Sequence, residues 1–332
     1  MSKLTESPID LSILVVSFNT REFTCECLRS VYEQTTATTF EVLVVDNASA
    51  DGSADAIAAE FPQVQLIRSD ENLGFAVANN LAATHASGRY ILLLNSDTVI
   101  LDGAIDRLVE FAEQTGEPGV FGGRTVFADG TSNASSCWGE PTLWSELCMA
   151  LGLTKRFRGS RLFDSRGRDD ARLGDVDVIT GCFALLKRDL WERLDGFDTR
   201  FFMYAEDFDL SLRARALGAP ARCCPEATII HHCGASDTVR ADKMIKLFRA
   251  QAQLYTKHWS PFRAMLGKRI LDLWACSRVV ALSILRFAGG NFRESYAVWS
   301  KIWGARRSWR HNLFGDPPPL PKLAPHCQTS TK

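Results

Sequence analysis

Short apolar runs alternate with helical patterns through the first hundred residues, and most of the runs end in a polar turn. The runs consist mainly of Val, Ile and Leu, as expected of strands that are buried on both faces. This alternation predicts an α/β fold with a mostly parallel central sheet flanked by helices. The predicted strands are 11–17, 40–45, 64–68 and 89–94, and the predicted helices are 21–34, 53–61 (with Ser53 as a cap) and 75–85.

Polar side chains follow three of these strands directly. Strand one ends in Ser17, Phe18 and Asn19, strand two in Asp46 and Asn47, and strand four in Asn95, Ser96 and Asp97. Ligands of open parallel sheets bind beyond the carboxyl ends of the strands. Neither GxGxxG nor GxxxxGK[ST] follows a strand, which disfavours a nicotinamide-dependent dehydrogenase and a P-loop NTPase.

A diphosphate ligand without a glycine-rich loop or a basic clamp needs another counter-charge. A divalent cation held by acids supplies one. Asp97 is the best candidate ligand, because it follows a wholly apolar strand, and Asp46 is similarly placed. The alternative is that each acid caps a helix or a turn. Because the two acids lie at neighbouring strand ends, the metal-binding interpretation is favoured over capping.

The second half adds candidates for proton transfer. An apolar run at 181–186 precedes a helix to about 194, and the aromatic stretch 201–210 contains Glu206, Asp207 and Asp209. A carboxylate beside aromatic rings and other acids has a raised pKa, as a general base requires. The alternative is that these acids occupy the first turn of a helix that starts near Glu206, where they suit its dipole.

Two histidines end the next apolar run. His231 and His232 follow Ile229 and Ile230, and in a strand they point to opposite faces. One of them can therefore join Asp97 on a metal ion. The alternative is a structural histidine.

The charge of the chain is divided unevenly. From Arg240 onward there are 17 Lys and Arg against four acids, which leaves a net charge of −14 on the first 239 residues, since the whole chain carries −1. This tail has helical spacing and five of the eight Trp, a pattern typical of helices at a membrane interface. The alternative is helices packed on the acidic body. No nucleic-acid-binding motif is present, so no nucleic-acid partner is expected.

Other features exclude some classes of protein. No window is apolar enough for a membrane span, and MSKLTESPID has no apolar signal region. The ten Cys form no CxxC pair, so we expect reduced thiols rather than a zinc ribbon.

From about 11 to 236 the sequence resembles family 2 glycosyltransferases of the GT-A fold, and is most similar to the bacterial rhamnosyltransferase-like branch. The strings that carry the resemblance are VVSFNT, VVDNASADGS, ENLGFAVANN, ILLLNSD, GFDTRFFMYAEDFDLSLR and IIHHCGAS. It implies a GT-A catalytic domain over 1–239, with a Rossmann-like donor half at 10–125 and an acceptor and base half at 126–239. A helical extension over 240–315 and a flexible tail over 316–332 follow.

The resemblance also implies the role of each site residue. Asn95-Ser96-Asp97 stands in for the DxD motif with Asn at its first position, so Asp97 becomes the main metal ligand. Asp207 resembles the catalytic base, with Glu206 as second candidate, and His231 fits the metal position better than His232 by its spacing to the GAS turn. Donor binding is implied for Ser17, Phe18, Asn19, Asp46 (the base contact), Asn47, Gly74, Asn79, Asn80, Asn95 and Ser96.

The implied activity is inverting, metal-dependent sugar transfer with Mg²⁺ or Mn²⁺. The first expected donor is dTDP-L-rhamnose, with UDP-hexoses as the alternative, and the acceptor is a glycan or a polyprenyl-diphosphate-linked sugar in surface-glycan synthesis. The expected location is cytoplasmic, at the inner face of the plasma membrane, with peripheral contact to anionic lipid. A nucleotidyltransferase lacks support because its basic glycine-rich signature is missing. A non-catalytic scaffold on the same fold is the remaining alternative.

Overall fold

The fold is that of a computed structural model, which describes residues 9–133, 136–157, 160, 162–163, 174–232, 240–287, 289–311 and 313–314. The strands are β1 (Leu11–Ser17), β2 (Phe40–Asp46), β3 (Gln65–Arg68), β4 (Tyr90–Asn95), β5 (Thr98–Ile100), β6 (Val120–Val126), β7 (Cys137–Trp138), β8 (Asp175–Val176), β9 (Val178–Ile179), β10 (Phe183–Lys187) and β11 (Ala221–His231). The helices are α1 (Arg21–Gln34), α2 (Ser53–Glu60), α3 (Gly74–Ala83), α4 (Ala104–Thr115), α5 (Leu143–Leu151), α6 (Leu153–Arg156), α7 (Arg188–Arg193), α8 (Glu206–Ala216), α9 (Arg240–His258), α10 (Pro261–Leu285), α11 (Gly290–Gly304) and α12 (Arg307–Arg310).

Nine strands form the central sheet, in the order β3-β2-β1-β4-β10-β6-β11-β5, with β8 paired to β11. The first four are parallel, with Ser17 opposite Asp46 and Val16 opposite Asn95. β10 runs antiparallel between β4 and β6, and β11 is parallel to β6. The predicted mostly parallel sheet flanked by helices is therefore confirmed. Its register brings the ends of β1, β2 and β4 to one edge.

Helices cover both faces of the sheet, as its apolar strands require. In β1, Ile13 and Val15 pack into one buried cluster with side chains of α1, α2 and α4. Leu14 packs into the other cluster, with side chains of α3, α7 and α8. Each such side chain stabilises the fold by roughly 2 kcal/mol when buried, so the uninterrupted apolar runs of the sequence are stable only inside this sandwich.

The predicted strands and helices of the first 95 residues are all present, with ends within two residues of the predicted ones. The prediction that Ser53 caps α2 is wrong. Gly52 is the N-cap, at a φ of +81° that glycine adopts without strain, and Ser53 is the first helical residue. The Ser53 hydroxyl instead donates to Asp51 (2.5 Å). The eight cysteines within the described residues form no disulfide, in agreement with the expected reduced thiols.

The last four helices pack around a core of their own, which includes Phe248, Leu271 and Ile302. Asp272 of α10 is buried and accepts hydrogen bonds from Trp309 Nε1 (3.2 Å) and Arg310 Nε (2.9 Å), which ties α12 to α10. No helix in the described ranges is both long and apolar enough to cross a membrane. The shared core and the contacts of Asp272 make α9 to α12 a packed helical layer.

A buried ionic cluster joins α9 to α8; we call it the Asp209 cluster (Asp198, Asp209, Arg213, Lys257 and His258). Asp209 is fully buried and accepts hydrogen bonds from Arg213 Nε (2.7 Å) and Lys257 Nζ (2.6 Å). His258 Nε2 lies 2.8 Å from Asp209 Oδ1, the oxygen that Lys257 also contacts, and Lys257 reaches Asp198 as well (2.6 Å). Burial disfavours the charge of Asp209, but His258, Arg213 and Lys257 outweigh it and lower its pKa below the ordinary value. Cations of the basic extension thus face acids of the body.

We predict that Asp209→Asn lowers the free energy of unfolding at pH 7 by about 3 kcal/mol, because it leaves buried cations without their shared counter-charge. The pKa of Asp209 is lowered in the folded state, so its stabilisation is present above about pH 4 and is lost as the pH falls through the folded value. Urea unfolding at several pH values should therefore show the difference between wild type and variant shrinking in acid.

The matched control is Glu60→Gln, which breaks an ion pair with Arg29 at 3.3 Å between two exposed side chains. Such a pair contributes no more than about 1 kcal/mol. Equal losses for the two variants would show that the Asp209 cluster does not hold α9 in place.

Candidate active site

A cleft of about 530 Å³ opens at the carboxyl ends of β1, β2 and β4. Eight of the fourteen residues predicted for the site line it: Phe18, Asn47, Asn95, Ser96, Asp97, Glu206, Asp207 and His231. They come from three parallel strands, from the start of α8 and from the end of β11. The cleft thus lies where the rule for open sheets places a ligand, beyond the strand ends. Folding adds Glu206, Asp207 and His231 to its lining, more than a hundred residues after Asp97 in sequence.

Asn95, Asp97 and His231 lie close together in the lining of the cleft. His231 Nε2 lies 3.3 Å from the Asp97 carboxylate and 3.4 Å from Asn95 Nδ2. The antiparallel pairing of β11 with β5 sets His231 opposite Thr98, directly after the Asn95-Ser96-Asp97 turn. The sequence had suggested that only one of the two histidines faces the site, and His231 is that one.

These side chains fit a divalent cation. A carboxylate and an imidazole nitrogen at this separation can bind the same ion, and Mn²⁺ accepts both ligand types. Within the described ranges no three His, Cys, Asp or Glu side chains form a complete metal cage.

His232 points elsewhere. Its ring lies 5.0 Å from the ring of Phe23, and its Nε2 lies 3.9 Å from Glu26. Adjacent side chains of an extended segment point to opposite faces, as predicted. The GAS residues 234–236, whose spacing favoured His231 in the sequence, lie outside the described residues.

Glu206 and Asp207 begin α8, and both line the cleft. Asp207 keeps surface in the cleft, and its carboxylate accepts hydrogen bonds from the backbone N–H of Gly181 (3.1 Å) and of Phe208 (2.8 Å). Glu206 is buried, and its Oε2 has no hydrogen-bond partner among the described residues. Burial raises the pKa of Asp207 against the effect of these two bonds. Burial and the charge of Asp207 raise the pKa of Glu206 well above its ordinary value.

The two carboxyl groups therefore differ in how readily they ionise. Two adjacent carboxylates cannot both ionise easily in a buried place, and the one with hydrogen-bond donors takes the charge. Asp207 has the donors and the open side, which favour its charged form, whereas burial and the charge of Asp207 favour the neutral form of Glu206. The geometry thus favours Asp207 over Glu206 as the proton acceptor.

The turn before α8 is strained. Tyr204 and Ala205 both have positive φ values, +71° and +65°, which cost about 1–3 kcal/mol each in non-glycine residues. Ala205 is buried against Ala250 and Leu254 of α9. The packing of α9 therefore supports the turn that brings the two acids to the cleft.

Three other predicted residues, Ser17, Asn19 and Asp46, are not part of the cleft lining. Ser17 is fully buried and hydrogen-bonds to Thr24 (3.0 Å). Asn19 accepts from the N–H of Ala50 (2.8 Å), which ties the end of β1 to the end of β2. Asp46 accepts from Ser49 through Oδ2 (3.1 Å), while its buried Oδ1 has no hydrogen-bond partner within the described part of the chain.

Gly74, Asn79 and Asn80 do not line the cleft. Gly74 has a φ of +77°, and a Cβ there would lie 2.4 Å from the carbonyl oxygen of Phe202. Asn80 exchanges two hydrogen bonds with the backbone of Phe197 (2.8 and 2.9 Å), and Asn79 donates within α3. Gly74 and Asn80 thus fasten α3 to the segment before α8. A role of these three residues in donor binding rests on the resemblance alone.

The sequence did not identify the far wall of the cleft. Side chains of α5, α9 and α10 line it, together with Trp138, whose ring lies 6.2 Å from that of Phe208. Met149, Leu247 and Trp274 belong to ordinary amphipathic patterns, so nothing local marks them as site residues. Only the packing of the C-terminal helices brings them to Asp207.

Comparison with known proteins agrees with this geometry. The chain is 29% identical over 217 residues to the O-antigen biosynthesis protein RfbC of Myxococcus xanthus, an alignment that covers 62% of this chain and 16% of that protein. It is 27% identical over 209 residues to an N-acetylglucosaminyl-diphospho-decaprenol L-rhamnosyltransferase of Mycobacterium tuberculosis, covering 58% of this chain and 66% of that protein. The chain thus spans less than two thirds of the length of either relative.

A solved structure shares the fold. A mannosyltransferase of Pyrobaculum calidifontis, determined with GDP-mannose and Mn²⁺, superposes with a TM-score of 0.54 at 20% identity, covering 92% of this chain and 88% of that one. At this identity the likeness is one of fold. In sequence, residues 12–194, more than half of the chain, match the family described as glycosyl transferase family 2. The chain therefore belongs to glycosyl transferase family 2 and has the GT-A fold.

Proposed function

We propose that this protein is an inverting glycosyltransferase that moves a sugar from a nucleotide-sugar to a hydroxyl of a glycan or lipid-linked acceptor. The observation that carries the proposal is one cleft that contains both the Asp97–His231 pair and the Glu206–Asp207 pair. The first pair suits a metal-bound diphosphate, and the second suits proton removal. The names of the two relatives support a place in cell-wall or surface-glycan synthesis.

The reaction is a single displacement at the anomeric carbon. The acceptor oxygen forms a bond to that carbon while its proton passes to Asp207, and the bond to the diphosphate breaks with its electron pair. Asp97 and His231 would hold Mg²⁺ or Mn²⁺, which supplies positive charge to the departing diphosphate when it is bound. The backbone N–H groups of Gly181 and Phe208 keep Asp207 oriented and charged before transfer.

For the donor we propose dTDP-L-rhamnose first, with UDP-hexoses as the alternative. Asp46 Oδ1, which has no hydrogen-bond partner within the described residues, suits the ring N–H of a thymine or uracil base. Phe18 lines the cleft. The name of the mycobacterial relative supports rhamnose. We assign residues 10–125 to donor binding and 126–239 to the acceptor and the base.

We predict that Asp207→Asn lowers the transfer rate by about 10²–10⁴-fold, the range of a lost general base. Binding of the donor should change little, because the amide keeps the shape of the carboxylate. Donor turnover and donor affinity, measured side by side, test this. Asp55→Asn, which changes an exposed carboxylate, is the control. Loss of donor binding in Asp207→Asn would assign Asp207 to the donor site instead.

We further predict that donor binding depends on metal through Asp97. Calorimetry with dTDP-rhamnose, UDP-glucose, UDP-galactose and GDP-mannose, with Mn²⁺ and then with EDTA, should give metal-dependent binding of one donor. Asp97→Ala should reduce that binding at least tenfold, to the level measured with EDTA. Binding of none of the four donors would favour the non-catalytic scaffold.

We also propose peripheral contact with an anionic membrane at the cytoplasmic face, through α10. Its outer face carries Phe262, Met265, Leu273, Val280 and Ile284 at three- to eight-residue intervals, with exposed fractions of 44–73%. These residues form one stripe along a helix about 37 Å long. Arg269 lies within the stripe and is 67% exposed. The excess of Lys and Arg after residue 239 makes an anionic surface the partner of matching charge.

Pelleting with vesicles tests this contact. We predict that the protein sediments with vesicles containing phosphatidylglycerol and weakly with pure phosphatidylcholine. Val280→Glu combined with Ile284→Glu should weaken binding to the anionic vesicles at least tenfold. Leu217→Glu, at an exposed apolar residue outside α10, should not. Unchanged sedimentation of the double variant would contradict the assigned face.

A further inference from the structure

Four buried hydroxyl groups connect the end of β1 and the start of α1 to the turn after β4; we call them the hydroxyl network (Ser17, Thr20, Thr24 and Ser96). Thr20 Oγ1 lies 3.1 Å from Ser96 Oγ and 3.1 Å from Thr24 Oγ1. Ser17 Oγ lies 3.0 Å from Thr24 Oγ1. No member of the network is more than 7% exposed, and Ser96 is the member that lines the cleft.

Thr20 occupies the N-cap position of α1 but does not cap the helix. A threonine hydroxyl at that position ordinarily accepts a hydrogen bond from a backbone N–H of the first turn. Within the described part of the chain, Thr20 makes no such bond. Its hydroxyl instead contacts Ser96, which lies 76 positions away in sequence. The local cap is thus replaced by a contact with the turn that precedes β5.

The number of hydroxyl protons determines how the network is directed. Each hydroxyl donates one hydrogen bond and can accept two. Thr24 donates to the carbonyl oxygen of Thr20 (2.9 Å), so it acts only as an acceptor towards the other hydroxyls. Its contacts with Ser17 and Thr20 then use the protons of those two residues. The contact between Thr20 and Ser96 must use the proton of Ser96, so Ser96 donates its hydrogen bond to Thr20.

Ser96 is the middle residue of the Asn95-Ser96-Asp97 turn, and its side chain is the part of the turn that contacts α1. The residues on either side of it are held through their backbones. The N–H of Asn95 donates to the carbonyl oxygen of Cys182 (3.1 Å), and the carbonyl oxygen of Asp97 accepts from the N–H of His232 (3.0 Å). The hydrogen bond from Ser96 to Thr20 therefore adds a third point of attachment, directly before Asp97.

We propose that Thr20 is a positioning residue for the metal ion: through Ser96 it holds the Asp97 carboxylate at the 3.3 Å separation from His231 that allows both to bind one cation. The inference rests on the proposed function, because the cation is the one that the donor diphosphate would contact. It also gives Ser17 and Thr24 a supporting role in place of direct donor contact.

Binding of Mn²⁺ to the protein alone, followed by the loss of the EPR signal of the free ion, tests the proposal. Thr20→Val keeps the shape of the side chain without its hydroxyl and should weaken Mn²⁺ binding about tenfold, the lower end of the effect of lost outer hydrogen bonds at metal sites. Thr20→Ser keeps the hydroxyl and should restore binding close to that of the wild type. Thr115→Val, which removes a hydroxyl bonded to Phe111 within α4 (2.8 Å), is the control and should change nothing.

A double variant separates positioning from a general effect on the fold. Ser96→Ala should weaken Mn²⁺ binding about as much as Thr20→Val does. The combination of the two should weaken it no further, because both changes remove the same hydrogen bond. Additive losses would contradict the proposal. A merely structural role of Thr20 would lower the urea midpoint of Thr20→Val and leave its Mn²⁺ affinity unchanged.

The outcomes distinguish the positioning role from the metal site itself. Mn²⁺ binding that is equally tight in the wild type and in Thr20→Val overturns the positioning role and leaves the metal site in place. If Thr20→Val does not fold, Ser96→Ala decides alone, and an unchanged affinity of that variant overturns the proposal. Absence of Mn²⁺ binding to the wild type overturns the metal site of the proposed function, and the positioning role with it.

Discussion

The buried carboxylate of Asp209 is the contact on which the arrangement of the cleft depends. It lies two residues after Asp207 and draws Arg213 of its own helix and Lys257 and His258 of α9 to one point. A buried charge with several cationic partners resists separation, because any one of them left alone would lack its counter-charge. The cluster therefore holds α9 against the start of α8. That contact also supports the strained turn at Tyr204 and Ala205 and closes the far wall of the cleft.

The carboxyl groups around the cleft differ in their surroundings, and their chemistry differs accordingly. Asp209 has cations and stays ionised. Asp207 has two backbone donors and an open side, and Glu206 beside it has no donor for Oε2 within the described part of the chain. Glu146 is buried in the far wall of the cleft, and burial raises its pKa to about 7. A carboxyl group can thus form buried ion pairs, accept a proton or favour its uncharged form, depending on what surrounds it.

Much of the catalytic body could be predicted because its signals are local. The uninterrupted apolar runs required a sheet covered on both faces, and the polar residues after β1, β2 and β4 marked the edge where a ligand binds. Asp97, Asp207 and His231 were among the candidates, and all three line the cleft. Gly74, Asn79 and Asn80 also belong to a recognisable string, yet they do not line it. Their side chains and backbone are used to pack α3, which a motif by itself does not reveal.

The sequence by itself determined the α/β alternation, the strands and the acids at their ends, since each depends on neighbouring residues along the chain. The resemblance favoured His231 and Asp207 over their neighbours, but only the tertiary structure shows that His231 meets Asp97, that Asp207 accepts the N–H groups of Gly181 and Phe208, and which face of the C-terminal helices closes the cleft. These outcomes depend on contacts between segments far apart in sequence. Glu146 on α5 and Gln251 on α9 share a wall because the Asp209 cluster and the apolar core fix α9, and no local pattern encodes that meeting.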